Sequence, residues 1–355
     1  MSAGDDRVTL DTVAAAAGVS RMTVSNAYNR PDQLSAATRD RVLEAAARLG
    51  YAGPDPAAQS LRRGRTGTIG VVLTERLPYA FTDPGLVTIL HGLATELSAA
   101  GYALLLVPSS ARGGEPLVRQ VIVDALVLCS LPEDDPAVSA AVARQLPIVT
   151  VGHPRLTGVP RVGIDNRRAA ALAAEHLLDL GHRRLCLLTL SPGDGGGSAN
   201  SGIRERGTGF LAALTAAQVP ARNVTTIEVG EHTRSAASHA ISELLRLPAG
   251  RRPTAVFTVT DVLALGVLDA ARDCGIPVPA AVSVVGFDDI AESAASVPPL
   301  TTISQSLFEQ GQLAARLALR RVAGEPVRSP RMHAELVTRA STARPAAPGR
   351  PSARS

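Results

Sequence analysis

Residues 21–29 carry side chains that can read the edge of a nucleic-acid base. Arg21 offers the planar fork of donors that matches the two acceptors of guanine. Asn26 offers the donor and acceptor that match adenine, and each such contact is worth ~1–3 kcal/mol of discrimination. Met22 and Ser25 fall on or near the same exposed N-terminal face of the helix this stretch predicts. A phosphate oxygen or water is the other partner open to each of them. To reach a groove, that helix has to be presented by something, and the preceding residues do so: Val13-Ala14-Ala15-Ala16-Ala17-Gly18-Val19-Ser20. Small residues let two helices cross closely, Gly18 makes the tight turn, Val19 fills the angle, and Ser20 stands where an N-cap belongs. This is helix-turn-helix grammar, with the second helix offered to a major groove. A plain helical hairpin is the bland alternative.

Catalytic chemistry has no comparable constellation. Seven histidines and many carboxylates are present, but there is no HExxH, no GxSxG and no Walker loop. The glycine run Gly193–Gly197 lacks the Lys-Ser/Thr of a phosphate cradle and reads as a flexible connection. His182, between Gly181 and a strand pattern, reads as structural. The three cysteines (Cys129, Cys186, Cys274) are far apart without a CxxC pair; they are expected to be buried thiols, not zinc ligands or disulfides. No cofactor, metal or enzymatic activity is expected.

Three regions separate along the chain. Residues 7–53 hold three short helical patterns, closed by Gly18, Pro31 and Gly50, which must pack on one another through Val13, Ala17, Val24, Ala27, Val42 and Leu49. Residues 54–65 form a linker in which Pro54, Pro56 and Gly64 bracket a stretch barely two helical turns long, so its folding is expected to be conditional. From 66 to 341, apolar β-type runs (68–73, 103–107, 125–129, 148–151, 185–190, 255–259, 283–287) alternate with helical patterns (86–99, 166–180, 204–217, 234–247, 262–274). Continuous apolar strands between helices imply parallel sheets covered on both faces. The length favours two similar lobes over one large sheet. The expected fold is a small all-α helix-turn-helix head plus an α/β core of two doubly wound parallel-sheet lobes. Residues 1–6 and 342–355 are expected to be disordered.

Composition is consistent with this. The chain has 355 residues, 45% of them hydrophobic and 19% charged, so an ordinary globular core is available. No apolar run reaches the ~18 residues of a membrane span, and the polar start Met1–Arg7 is unlike a secretory signal. A cytoplasmic location is expected. The net charge of +4 is uneven: residues 1–65 hold nine Arg against seven acids, and 339–355 hold four Arg and no acid. Every basic residue is Arg, so arginine by itself is not a functional signal.

Over about residues 7–342 the sequence resembles the LacI/GalR family of bacterial transcription regulators. The residues carrying the resemblance are Val8–Ala14 with Ala17–Ser20, then Leu180-Gly181-His182-Arg183-Arg184 and Arg206-Gly207-Thr208-Gly209-Phe210, and finally Val278–Asp289 and Pro298-Pro299-Leu300-Thr301-Thr302-Ile303. The resemblance implies a homodimer, most simply a repressor, on a pseudo-palindromic operator in double-stranded DNA, with a core like periplasmic binding proteins whose lobes hold a small, sugar-like effector and are crossed by the chain near 165, 290 and 325. It also makes the linker a hinge helix: Leu61 matches the leucine that wedges into the central minor groove, with Ala58 before it and Arg62 after it on phosphate. The candidate DNA contacts are then Thr9, Ser20, Arg21, Met22, Thr23, Ser25, Asn26, Asn29, Ala58, Leu61 and Arg62.

For the effector, Arg206 matches the family's ligand-contacting arginine, Asp288 its hydroxyl-binding carboxylate, and Gln305 a further cleft residue. Arg206 and Asp288 can instead close on each other as a structural salt bridge. Thr260-Asp261 stands where the family usually has Asn-Asp, Gly152 where an acidic residue is common, and His232 where an aromatic ring often covers the ligand. All three of Thr260, Asp261 and His232 are candidates, as are Phe81 and Asp83 in a segment (74–91) longer than typical. A small-molecule binding protein without DNA regulation is the rival reading; it explains the lobes but not the first 65 residues.

Overall fold

The computed structural model describes residues 8–54, 64–74, 77–109, 116–191 and 201–346. Ala58, Leu61 and Arg62, with the short helix expected around them, lie outside the described residues, as do 1–7, 192–200 and 347–355. The chain forms two compact units, Met1–Gly67 and Thr68–Ser355.

The first unit is built on α1 (Leu10–Ala17), α2 (Arg21–Asn29) and α3 (Ala36–Leu49). Each start is set by a hydroxyl. Thr9, Ser20 and Ser35 accept from the backbone N–H three residues on, and Thr9 and Thr12 complete a reciprocal capping box. Gly18 and Gly50 end α1 and α3 in the left-handed region, at φ 60° and 69°. With eight and nine residues, α1 and α2 are below the ~12–15 that an isolated helix needs. They hold because Val13, Val24, Val42, Ala14, Ala17, Ala27, Ala45 and Ala46 bury one another, with Leu49 packed at the edge.

The second unit contains two sheets. The first takes β1 (Thr68–Leu73), β2 (Ala103–Pro108), β3 (Ala125–Cys129), β4 (Ile148–Val151) and β5 (Arg161–Val162) in the order β2-β1-β3-β4-β5, all parallel. The second takes β6 (Leu185–Leu190), β7 (Val224–Val229), β8 (Ala255–Thr258), β9 (Ser283–Asp288), β10 (Thr301–Ser304) and β11 (Glu335–Val337) in the order β11-β10-β9-β8-β6-β7. Only β11 runs antiparallel to its neighbour. Central strands such as β3 and β8 are buried along their whole length, as their unbroken apolar runs require. Edge strand β7, with Thr-Thr and Glu facing outward, is half-exposed and has no such run. Helices α4 (Pro84–Ala99) and α5 (Pro136–Ala143) cover the first sheet, and α6 (Asn166–Asp179), α7 (Ser201–Ala216), α8 (Arg234–Leu245) and α9 (Asp261–Asp273) the second.

The chain crosses between lobes after β5, at residues 163–165. A second crossing near 290 is not what is found. After the short α10 (Ala291–Ala295), β10 still pairs with β9, so the chain leaves the second lobe only at Gln305-Ser306. The reason is the buried Asp261 carboxylate, which accepts from Ile290 N–H (3.0 Å), Ser293 Oγ (2.7 Å) and Thr302 Oγ1 (2.5 Å) and folds 289–302 back onto its own lobe. The last helix, α11 (Leu307–Val322), packs on the first lobe. Ser329 is still there, accepting from Arg161 N–H, so the return also falls beyond 325.

Nor is the segment from Thr342 free of structure at its start. Ala343 N–H donates to Ser283 Oγ, and its carbonyl pairs with His182 Nε2 at 2.9 Å, while His182 Nδ1 meets Thr254 Oγ1. Burial pushes His182 down to about 4, so it serves as a neutral clamp on this segment.

Helices α4 and α11 cross through Gly92 and Gly311. A β-carbon at Gly92 would overlap the Phe308 carbonyl, and one at Gly311 the Ile89 carbonyl. Alanine normally favours a helix over glycine by ~1 kcal/mol, but here backbone sits against backbone and sterics dominate. Gly92→Ala and Gly311→Ala should each lower unfolding stability, on the order of 1–3 kcal/mol, in urea titrations. Gly250→Ala, in open space, should be near neutral, and a stabilised Gly311→Ala would overturn the account.

Candidate functional site

In the first unit, α2 presents Arg21, Met22 and Asn29 to solvent, with Thr23, Ser25 and Asn26 half-buried beside them. Met22 is 68% exposed, unusual for a large apolar side chain in so small a core. The hydroxyls of Thr9 and Ser20 are committed to helix starts, and Ser20 Oγ also meets Thr23 Oγ1 at 2.9 Å. Asn29 Nδ2 donates to the Ser25 carbonyl at 3.0 Å. Arg21 lies 3.4 Å from Asp11, both more than half exposed. A surface pair of this kind is worth little and does not withhold the guanidinium from a partner.

In the second unit, a cavity of about 110 Å³ opens between the lobes at the carboxyl ends of β1, β3, β8, β9 and β10. Open parallel sheets bind ligands there, where loops rather than paired strands face the space. At its centre Asp288 Oδ1 accepts from Arg206 Nη1 at 3.0 Å and from Gln305 Nε2 at 2.6 Å. Arg206 also donates through Nη1 to the Val259 carbonyl (2.8 Å) and through Nε to Asn166 Oδ1 (3.1 Å), and its guanidinium lies 3.9 Å over the Phe287 ring. Gln305 is held in turn by Gln310, whose Nε2 donates to its carbonyl and side-chain oxygens.

The backbone at this point is strained. Asp288 and Asp289 adopt φ of 122° and 60°, a region that L side chains seldom enter. Two ties hold it: Arg339 pairs with Asp289 at 2.7 Å, and Asp261 grips Ile290 N–H. Gly286 is required beneath, since a β-carbon there would overlap the Asp261 carboxylate.

A second chain of hydrogen bonds spans the lobes. Tyr79 Oη donates to Asp83 Oδ2 (3.1 Å) and lies 2.6 Å from His232 Nδ1, whose Nε2 meets Thr260 Oγ1 at 2.9 Å. Thr260 Oγ1 already accepts from Leu263 N–H, so its proton points to His232. A neutral imidazole protonated at Nδ1 satisfies every link, in keeping with burial, which lowers the His232 pKa. Asp83 Oδ1 caps α4 by accepting from Gly85 and Leu86 N–H. Leu73, Leu86, Ile89, Ile203 and Leu307 supply the apolar walls; the Cys129 thiol beside them is pushed up to about 12 by burial.

Of the sequence candidates, Asp83, Arg206, His232, Thr260, Asp288 and Gln305 converge on this cavity. Two do not. Phe81 closes a one-turn 3₁₀ segment (Tyr79–Phe81) and is 69% exposed, because it is Tyr79 that the turn directs inward. Asp261 is fully buried with its carboxylate consumed by the 289–302 loop, so it shapes the site without facing it. Sequence reasoning missed Tyr79 and Asn166. The only available signal for Tyr79 was its place four residues before the helix-capping Asp83. Asn166 follows a crossing that pattern alone does not locate to the residue.

Burial pushes Asp288 up to about 7 from its ordinary 3.8, Arg206 and Gln305 pulling it partly back while Asp261 and Asp83 push it further. A carboxyl raised by folding stabilises the native state below its ordinary range, and that contribution is lost as pH rises through the folded value. Wild-type stability should therefore fall relative to Asp288→Asn between about pH 4 and pH 7. Denaturant midpoints of both chains at pH 5 and pH 8 test this; parallel pH responses would refute it.

Residues 9–53 match the lacI family of bacterial regulatory proteins, and residues 174–342 match the periplasmic binding protein-like domain. The HTH-type transcriptional regulator Rv3575c of Mycobacterium tuberculosis is 41% identical over 330 residues, covering 88% of this chain and 91% of that protein. Among solved structures, the complex of the transcriptional regulator CelR with cellobiose is 32% identical, with a TM-score of 0.66 over 94% of this chain and 100% of that one. The lac repressor dimer bound to operator and the anti-inducer ONPF aligns at a TM-score of 0.78 and 28% identity, over 95% of this chain and 100% of the other. With three described helices that offer Arg21 and Met22, and two parallel-sheet lobes closing on Arg206 and Asp288, the chain belongs to the LacI family of DNA-binding transcription regulators.

Proposed function

We propose that the protein is a cytoplasmic, homodimeric repressor whose hold on a pseudo-palindromic operator is set by a neutral, polyhydroxylated ligand between its lobes. The observation that carries the ligand class is the charge balance of the cavity. Asp288 and Asp83 face it, while Arg206, the one guanidinium among its described lining residues, is already engaged by Asp288. A further anion would meet two carboxylates, whereas a sugar hydroxyl donates to one of them and accepts from Arg206, Gln305 or His232. The buried Arg206–Asp288 salt bridge is thus the resting state of a binding site. The CelR structure carries cellobiose and an Enterococcus faecium relative carries ribose, which makes those two sugars the first probes.

On the DNA side, Arg21, Met22, Ser25 and Asn26 read base edges, and Thr9, Ser20, Thr23 and Asn29 orient the helix ends and meet phosphate. Ala58, Leu61 and Arg62 belong to a hinge (54–65) between a head (7–53) and the effector core, with Leu61 as a minor-groove wedge. Among the described residues no helix is long and apolar enough to cross a membrane.

Selection of duplexes from a random library should return a two-fold symmetric site. Arg21→Ala should relax the preference at one base pair per half-site and weaken binding about 5–150-fold, and Leu61→Ala should weaken it at every selected site. Cellobiose, ribose or a wider pool of neutral sugars should change operator affinity of the wild type but not of Asp288→Asn. Recovery of no symmetric site, or an operator response to phosphorylated sugars alone, would overturn the proposal.

A further inference from the structure

We propose that Asn166 is a positioning residue that ties Arg206 to the contact between the lobes, so that a ligand on Arg206 is felt at Glu205. The proposal rests on the reading that the cleft holds an effector, and it concerns how occupancy leaves the cleft. Asn166 is the first residue of α6, just past the first crossing, and is 6% exposed. Its side-chain amide has one possible orientation. Arg206 Nε can only donate, so it faces Oδ1 at 3.1 Å; the Nδ2 group then faces Glu205 Oε2 at 3.5 Å.

Glu205 precedes Arg206 on α7, and successive helical residues project about 100° apart. Arg206 therefore turns into the cleft while Glu205 reaches the other lobe. There Arg155 Nη2 donates to Glu205 Oε1 at 3.0 Å, and His153 Nε2 stands 3.5 Å from Oε2. Both partners sit on the loop after β4, in the first lobe. The same carboxylate oxygen is thus 3.5 Å from Asn166 of the second lobe and, in the first lobe, 3.5 Å from His153 and 3.3 Å from Arg155 Nη2.

His153 offers that oxygen a second position. It is 3% exposed, and among the described residues neither ring nitrogen has a hydrogen bond; Glu133 is 3.8 Å from Nδ1. A buried donor without a partner is costly, and a shift of a few tenths of an ångström by Glu205 would satisfy it. While Arg206 is spent on Asp288, Asn166 holds Oε2 back. A ligand that draws Arg206 or Asp288 to its hydroxyls moves Asn166 and releases Oε2 to His153, tightening the lobes. Asn166 on one side and His153 on the other, with Arg155 holding the carboxylate in either position, supply the bistable element that coupling between sites requires.

Three variants separate this role from simple support. Glu205→Gln keeps an acceptor for Asn166 but loses the ionic hold on Arg155. Asn166→Leu removes both bonds of the amide. Asn166→Asp keeps the acceptor for Arg206 while setting a like charge against Glu205, and serves if the leucine variant does not fold. With the selected operator and whichever of cellobiose and ribose shifts wild-type affinity, the ratio of operator affinities with and without sugar should fall from the 5–150-fold typical of such coupling to within about twofold of one in each variant. Calorimetric sugar affinity of Glu205→Gln should stay within about threefold of wild type, and the Asn166→Leu/Glu205→Gln double variant should lose no more coupling than either single one.

A sugar-free arm uses hydrogen exchange of the first-lobe segment 152–158, which should slow in Asn166→Leu, where Oε2 is free to close on His153, and accelerate in Arg155→Ala. A wild-type coupling ratio in Glu205→Gln, or unchanged or faster exchange in Asn166→Leu, overturns the proposal. If no sugar shifts wild-type operator affinity, the ligand reading fails and the exchange arm alone decides this one.

Discussion

The effector core is organised around a carboxylate held where water is largely excluded. A buried charge is tolerated only when it is paired and its lone pairs are filled, and Asp288 draws on residues from four other parts of the chain, two on its carboxylate and two on its turn. Arg206 comes from α7, Gln305 from the second crossing, and the strained turn itself is pinned by Arg339 and Asp261. Each of these is then itself constrained: Arg206 by Val259 and Asn166, Gln305 by Gln310, Asp261 by Thr302 and Ser293. The polar groups of the cleft are thus preorganised by a second layer of hydrogen bonds. A ligand has to offer alternatives to contacts already made, which is why hydroxyl groups, able both to donate and to accept, suit the site.

The same demand explains where the chain crosses. Asp261 keeps 289–302 on the second lobe so that the loop can present Asp288, and only then does the chain enter the first lobe to lay α11 against α4. That helix pair meets through glycines, leaving no tolerance for a methyl group. The first lobe is therefore completed by residues more than 200 positions away from β1. Lobe identity and sequence position part company, and the segments joining the lobes are also the segments carrying Asn166 and Gln305. Two of the polar residues in and around the cleft thus sit on the segments that join the lobes.

The first unit follows a different economy. Its core is eight small or β-branched side chains, and hydroxyl caps and left-handed glycines set its helix ends. A unit that small cannot spare large apolar groups, yet Met22 is exposed at the N-terminal end of α2 beside Arg21. An apolar group left out of a scarce core is a stronger functional signal than an exposed arginine in a chain whose every basic residue is Arg.

The family resemblance supplied most of the six residues that reach the cleft; the sequence by itself determined the helix-turn-helix and the apolar central strands of both lobes. These rest on local physics: caps and glycines act within a turn, and strands buried on both faces demand unbroken apolar runs. The tertiary structure alone decided that Asp261 is a brace and not a ligand contact, that Tyr79 and not Phe81 turns inward, and that the chain crosses at 305 instead of near 290. It also decided that Asn166 and Glu205 stand between Arg206 and the first lobe. Edge strand β7 and the four-residue β10 carry no long apolar run, and which face of a one-turn segment is buried depends on what the other lobe places against it. The direction of a carboxylate is set by the donors around it, and those donors come from residues scores of positions away. No periodicity along the chain records such meetings, because the energy that selects them exists only once the lobes have packed.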